Sequence, residues 1–169
     1  VLLGSVGLLL GPPVIGRVSD YLGVRTRLMV GGGVLYTGAF ALLALAGKPP
    51  LWSVGLTFFL VSFLAGGYAL GYTVVKEGYG SEASGVATGT VNALAFSGAA
   101  VFPTVMGAIL DAYWTGQTVG GARVYTLFGY RLLFGLAAAS GFVSLCCVTW
   151  LHLRTAGGEE SGSEAPAGA

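Results

Sequence analysis

Apolar residues come in five runs along this chain, separated by short polar breaks, and no run keeps one face for charge. The runs cover about residues 1–18, 28–47, 50–75, 83–110 and 131–153. A helix needs roughly 20 apolar residues to cross the hydrocarbon of a bilayer. The last four runs reach that length. The first is interrupted by Gly11-Pro12-Pro13 before it meets Arg17, and it reads as the closing part of a helix. The pattern therefore predicts an all-α polytopic membrane protein with four full transmembrane helices plus one truncated. Helices of a soluble protein would keep a polar stripe toward water. Strands of a membrane barrel would alternate every second residue over ~10-residue pieces. Neither pattern occurs here.

The breaks between the runs add orientation. The segment GRVSDYLGVRTR, Gly16 to Arg27, holds three arginines and one aspartate. Lys48-Pro49-Pro50 reads as a tight turn, Lys76 to Glu82 as a short loop, and Asp111 to Arg131 as a longer loop with Gly120-Gly121 at its middle. Successive crossings place Arg17, Arg25, Arg27, Lys76 and Arg154 on one side and Lys48, Arg123 and Arg131 on the other. An excess of Lys and Arg marks the cytoplasmic side. The Gly16–Arg27 segment and the C-terminus are thus expected inside, with the protein in the cell (plasma) membrane. Trp52, Tyr113, Trp114, Tyr125 and Tyr130 then fall where an outer aromatic belt would lie.

Composition agrees with the pattern. Of 169 residues, 54% are hydrophobic and 9% charged, against about 25% charged in a soluble domain. There are 30 glycines, set among Leu, Val, Ala and Phe without a three-residue period, which excludes collagen and a flexible linker. Glycine among apolar residues lets helix backbones approach in a bilayer. The net charge of +1 leaves no nucleic-acid footprint. Cys146 and Cys147 are neighbours, a spacing that offers neither a metal site nor a disulfide framework. No motif for a metal or another cofactor is present. Residues 155–169 are small and acidic, and they are expected to form a disordered cytoplasmic tail. The chain opens Val-Leu-Leu, with neither methionine nor a basic leader, so a piece of something longer is expected.

The GRVSDYLGVRTR segment resembles the signature loop of the major facilitator superfamily: a glycine, a carboxylate four residues on, another glycine, then basic residues. Gly16, Asp20, Gly23 and Arg25 match it. Val18 and Ser19 are conservative stand-ins, whereas Tyr21 and Val24 replace positions that are often basic. Lys76-Glu77 followed by SGVATGTVNALAFSGAAVFPTVMGAILD resembles the fifth helix of a family half, and GYRLLFG resembles the approach to the last one. The resemblance implies a C-terminal half fragment, helices eight (partial) to twelve of a twelve-helix major facilitator fold. The implied function is secondary active transport of small solutes by alternating access, with the fragment not competent alone. The implied partners are a small-molecule substrate, a coupling proton or ion or an exchanged anion, the missing N-terminal half and the lipid bilayer. In the family the loop carboxylate engages the neighbouring half when the cytoplasmic side is closed. The resemblance therefore implies a conformational latch of Gly16, Asp20, Gly23 and Arg25, with Arg25 as the local partner of Asp20.

Few other side chains within the crossings carry chemistry. Tyr68 and Tyr72 are four apart and share a helix face, beside a G-x-x-x-G formed by Gly67 and Gly71. They either line a cavity or pack between helices. Gly85, Gly89, Asn92, Phe96 and Ala99 fall along one stripe. An amide in hydrocarbon needs a partner, so Asn92 either binds substrate or bonds across helices. Pro103 removes the donor for the Ala99 carbonyl and predicts a bend. Ser97 and Thr104 can each bond their own backbone. No Asp, Glu, Lys, Arg or His lies mid-crossing, where ion-coupled carriers usually keep one. His152, beside Arg154, reads as an interfacial or capping residue. The alternatives are an intramembrane enzyme and a non-transporting membrane scaffold or channel. A rhomboid-like protease needs its serine in a G-x-S-G setting, and Ser97 follows Ala95-Phe96 instead. No loop offers a channel filter. The expectation is a carrier and not an enzyme.

Overall fold

A computed structural model describes residues 2–23, 25–67, 70–71, 73 and 81–163, with side chains described for 84–154 of the last segment. Helix α1 is Leu2–Leu22, α2 is Arg25–Leu45 and α3 is Leu51–Leu64, followed by a 3₁₀ turn at Ala65–Gly67. Helix α4 is Ser81–Ala112. Strands β1, Trp114–Val119, and β2, Ala122–Tyr125, come next, and α5, Leu127–Ser163, closes the described chain.

Four of these helices are long and apolar enough to cross a membrane: Leu2–Leu22, Arg25–Leu45, Ser84–Ala112 and Leu127–Arg154. The chain is a helical, membrane-embedded protein. The run expected as a crossing at 50–75 is helical over Leu51–Leu64, and residues 68, 69, 72 and 74–80 lie outside the described residues. The first helix runs to Leu22, beyond the expected end at 18. Arg17, Ser19, Asp20 and Tyr21 are all compatible with a helix, and the break comes only at Gly23. There φ is +63°, and the Gly23 amide donates to the Ser19 carbonyl at 2.9 Å. A glycine in the left-handed region just past the last turn is a common helix stop, because it has no Cβ to clash. Helix α5 likewise continues past 153 to Ser163, and 164–169 lie outside the described residues.

The Asp111–Arg131 connection, expected as an irregular loop, contains an antiparallel hairpin. Trp114 pairs with Tyr125, Thr118 with Arg123 and Val119 with Ala122, with an irregularity between the first two pairs. Gly120 and Gly121 form its two-residue turn at φ +57° and +81°. Positive φ at both turn residues matches the twist of the strands, and glycine adopts it without strain.

Helices α1 and α3 run parallel. Leu3 meets Gly55, Gly4 meets Ser62, and Gly11 meets Phe63 and Gly66. A Cβ on Gly11 would collide with the Phe63 carbonyl, and one on Gly66 with the Gly11 backbone. These two backbones pass as closely as helices can, which only glycine permits. Helices α2 and α5 run antiparallel. Thr26 bonds to His152, Gly33 touches Leu145, Tyr36 and Thr37 flank Gly141, and Phe40 stacks near Phe134 at 6.2 Å. The core of Phe40, Leu43, Val61 and Ala137 lies where α2, α3 and α5 meet, with Met106 of α4 packed against it. None of the apolar window of α4 is buried.

Candidate functional site

The polar junction between α1 and α2 is built by the helix stop at Gly23. Asp20 leaves the last turn of α1, Arg25 opens α2, and the turn brings their side chains within reach. Arg25 Nη2 lies 3.6 Å from Asp20 Oδ1, with the aspartate 72% exposed and the arginine 29%. The structure thus brings together three of the four residues of the expected latch. Gly16, one turn before Asp20 on α1, has no atom of another described element within 4 Å of its Cβ position. Ser19, next to Asp20, is fully buried, and its hydroxyl has no hydrogen-bond partner among the described residues.

At the same end of the bundle, Thr26 Oγ1 and His152 Nδ1 are 2.8 Å apart, and the Arg154 guanidinium sits 4.6 Å from the centre of the Trp150 ring. His152 therefore ties α5 to α2. At the far end, Arg123 Nη1 donates to Asp111 Oδ1 at 2.8 Å and stacks 5.1 Å from the Trp114 ring centre. The Trp114 indole N–H donates to the Gln117 carbonyl at 3.1 Å. Aromatic rings continue inward from the hairpin, from Tyr125 to Tyr130, Phe134, Phe40 and Tyr36.

A half-open cavity of about 810 Å³ lies between the helices. Its walls come from Leu8 and Ile15 of α1, a stripe of α2 from Arg27 to Tyr36, Leu64 at the end of α3 with Ala65 after it, Val91 of α4, and Ser140 to Val148 of α5. The volume is that of a small-molecule site. Its origin is the glycines. Gly31 and Gly67 have nothing within 4 Å of a Cβ position, Gly32 meets only Leu64 Cδ2 at 4.0 Å, and Gly71 meets only Met29 Cε at 3.9 Å. Where other helices would project side chains, these positions leave space. Polar groups are sparse: Arg27 at one end, the Tyr36 hydroxyl, and Ser140 and Ser144. The Ser140 hydroxyl already donates to the Ala137 carbonyl at 2.8 Å.

Of the three candidates for substrate contact, one is among the described residues. Asn92 is adjacent to Val91 on α4 but is exposed and is not part of the cavity wall. Tyr68 and Tyr72 lie outside the described residues. Pro103 lies inside α4, which remains helical through it. Ser97 and Thr104 donate to the Ala93 and Ala100 carbonyls at 2.7 and 3.1 Å, as their spacing suggested. The small-residue pair Gly85 and Gly89 has open space at both Cβ positions. The close contacts are instead at Gly7, Gly11, Gly66 and Gly141. Spacing alone could not separate the two sets, because a G-x-x-x-G says that contact is possible and not which neighbour is present. Comparison with protein-family models, with curated proteins and with solved structures found no match.

Proposed function

We propose that the chain forms part of a secondary active transporter of the major facilitator type, moving small solutes across the cell membrane by alternating access. The observation that carries this reading is the junction of α1 and α2. Its Gly16, Asp20, Gly23 and Arg25 follow the family's loop pattern, and Asp20 and Arg25 come within 3.6 Å around a left-handed glycine. The 810 Å³ cavity between the helices supports it, since carriers bind near the midplane between helices that rock. The unburied surface of α4 supports completion by further helices, those of an N-terminal half. On this reading the α1–α2 junction and the end of α5 face the cytoplasm, and Asp20 exchanges partners as the cytoplasmic side opens and closes. A differential contact of about 1–3 kcal/mol shifts such an equilibrium several-fold or more.

Reconstitution of the chain together with the N-terminal half that this reading requires, in liposomes with labelled organic anions, sugars and drugs, tests the proposal. Saturable counterflow of one solute class is the expected result. Ohmic current without saturation would replace the carrier with a channel, and no flux of any kind would favour a scaffold.

A further inference from the structure

Among the described residues the cavity wall holds one charged group, and the chemistry of that group selects a ligand class. Arg27 lies at one end of the cavity, and among the described residues no carboxylate pairs with it. Its neighbour Arg25 is different: it is committed to Asp20 at 3.6 Å. No Asp or Glu occurs among the described wall residues. Arg27 is exposed at the cavity's open end, and a cationic ligand would find repulsion from it and no counterion among the described wall residues. A sugar would find few partners for its hydroxyls among the described wall residues, where Tyr36, Ser140 and Ser144 carry the side-chain hydroxyls and one of them is already engaged. The remaining surface is aliphatic, from residues such as Leu8, Ile15, Leu28, Leu35 and Val148.

We propose that this cavity takes an amphipathic organic anion, with one carboxylate, sulfonate or phosphate group on Arg27 and an apolar body in the space left by Gly31, Gly32, Gly67 and Gly71. This rests on the carrier reading for its purpose but not for its chemistry. A guanidinium presents paired N–H donors to an oxyanion. The apolar body gains by leaving water in proportion to its buried area. Arg27, Gly31 and Leu35 are spaced four apart on α2 and so lie along one face, which sets the anion and the apolar body in line along the helix.

Equilibrium binding of radiolabelled decanoate to the protein in phosphatidylcholine nanodiscs tests this, with decanol and decylammonium as comparison ligands of equal chain length. Saturable decanoate binding is expected, at least about tenfold tighter than decanol, with no saturable binding of decylammonium. Arg27→Gln should remove that preference and Arg27→Lys should retain part of it. Gly31→Leu fills space in which a Cβ meets nothing within 4 Å; it should abolish binding while helix content by circular dichroism stays unchanged. Equal affinity for decanoate and decanol, or decanoate affinity unaffected by Arg27→Gln, would overturn the anion assignment. Displacement of decanoate by phosphatidylglycerol added to the nanodiscs would identify a lipid phosphate as the occupant; retention would identify a free organic anion. Counterflow separates the two proposals. Decanoate binding without counterflow by the chain reconstituted with its N-terminal half removes the carrier and leaves the site. Counterflow of another solute with no decanoate binding removes the ligand class and leaves the carrier.

Discussion

Thr26 and His152, 126 positions apart in the sequence, share a hydrogen bond of 2.8 Å. It joins the first turn of α2 to the end of the membrane-length part of α5, next to Arg27 at the cavity's end. The hydroxyl both donates and accepts, so the bond survives a change of imidazole tautomer. Thr26→Val and His152→Leu should each lower stability by about 1 kcal/mol, read as earlier thermal unfolding in detergent. The double variant should cost no more than about the larger single change, because each removes the same bond. Fully additive losses would show that the two side chains act separately.

Close backbone contact between α1 and α3 makes a sharper prediction. Gly11→Ala drives a Cβ into the Phe63 carbonyl, and neither backbone is a flexible side-chain end that can move aside. The cost should be about 1–3 kcal/mol, as for overpacked interiors. Gly89→Ala, on α4 with nothing near its Cβ position, should be neutral or slightly stabilising, since alanine favours a helix by roughly 0.5–1 kcal/mol over glycine. Denaturant titration of both variants checks the contrast. A reversed order would mean that α4 and not α1 carries the tight contact.

The hairpin should be sensitive at its turn and tolerant at its ion pair. Gly121 sits at φ +81°, where a β-branched residue is strained, so Gly121→Val should open the turn and accelerate proteolytic cutting between Trp114 and Tyr125. Arg123→Ala removes an ion pair whose side chains are 53% and 59% exposed; such pairs are worth up to about 1 kcal/mol. It should change the cutting rate little.

Asp20→Asn separates fold from function. The Asp20 carboxylate is mostly exposed and its pair with Arg25 is a long one at 3.6 Å, so its loss should leave the unfolding temperature within a degree or two. On the carrier reading the same variant should shift the inward and outward populations several-fold, measured by spin-label distances across the cytoplasmic mouth. Unchanged populations would reduce Asp20 to a local helix-end partner of Arg25.

What could be read from the chain before folding divides along physical lines. Helix order was legible because a crossing needs a long apolar run, and runs such as 28–47 and 83–110 carry no charge to break them. The meeting of Asp20 with Arg25 was legible because Gly23 between them is a local signal. The hairpin was missed although Gly120-Gly121 flanked by Thr118, Val119, Val124 and Tyr125 is a hairpin pattern; a polar segment between two crossings drew attention to its length instead. The cavity wall was illegible. Gly31 and Gly32 create space only once α3 stands opposite without filling it, and Tyr36 looks like any aromatic on an apolar helix. Asn92 stood out by being polar, but polarity does not reveal which way a helix is turned.

The proposed carrier requires a bundle that spans the membrane with its Gly23 junction inside and its hairpin outside. Single cysteines at Tyr21 and Gln117, in a background with Cys146 and Cys147 replaced by serine, measure this through a membrane-impermeant maleimide. Labelling of Gln117→Cys on intact cells, with Tyr21→Cys labelled only after permeabilisation, is the predicted result. Labelling of Tyr21→Cys from outside, or of both positions from the same side, would contradict it.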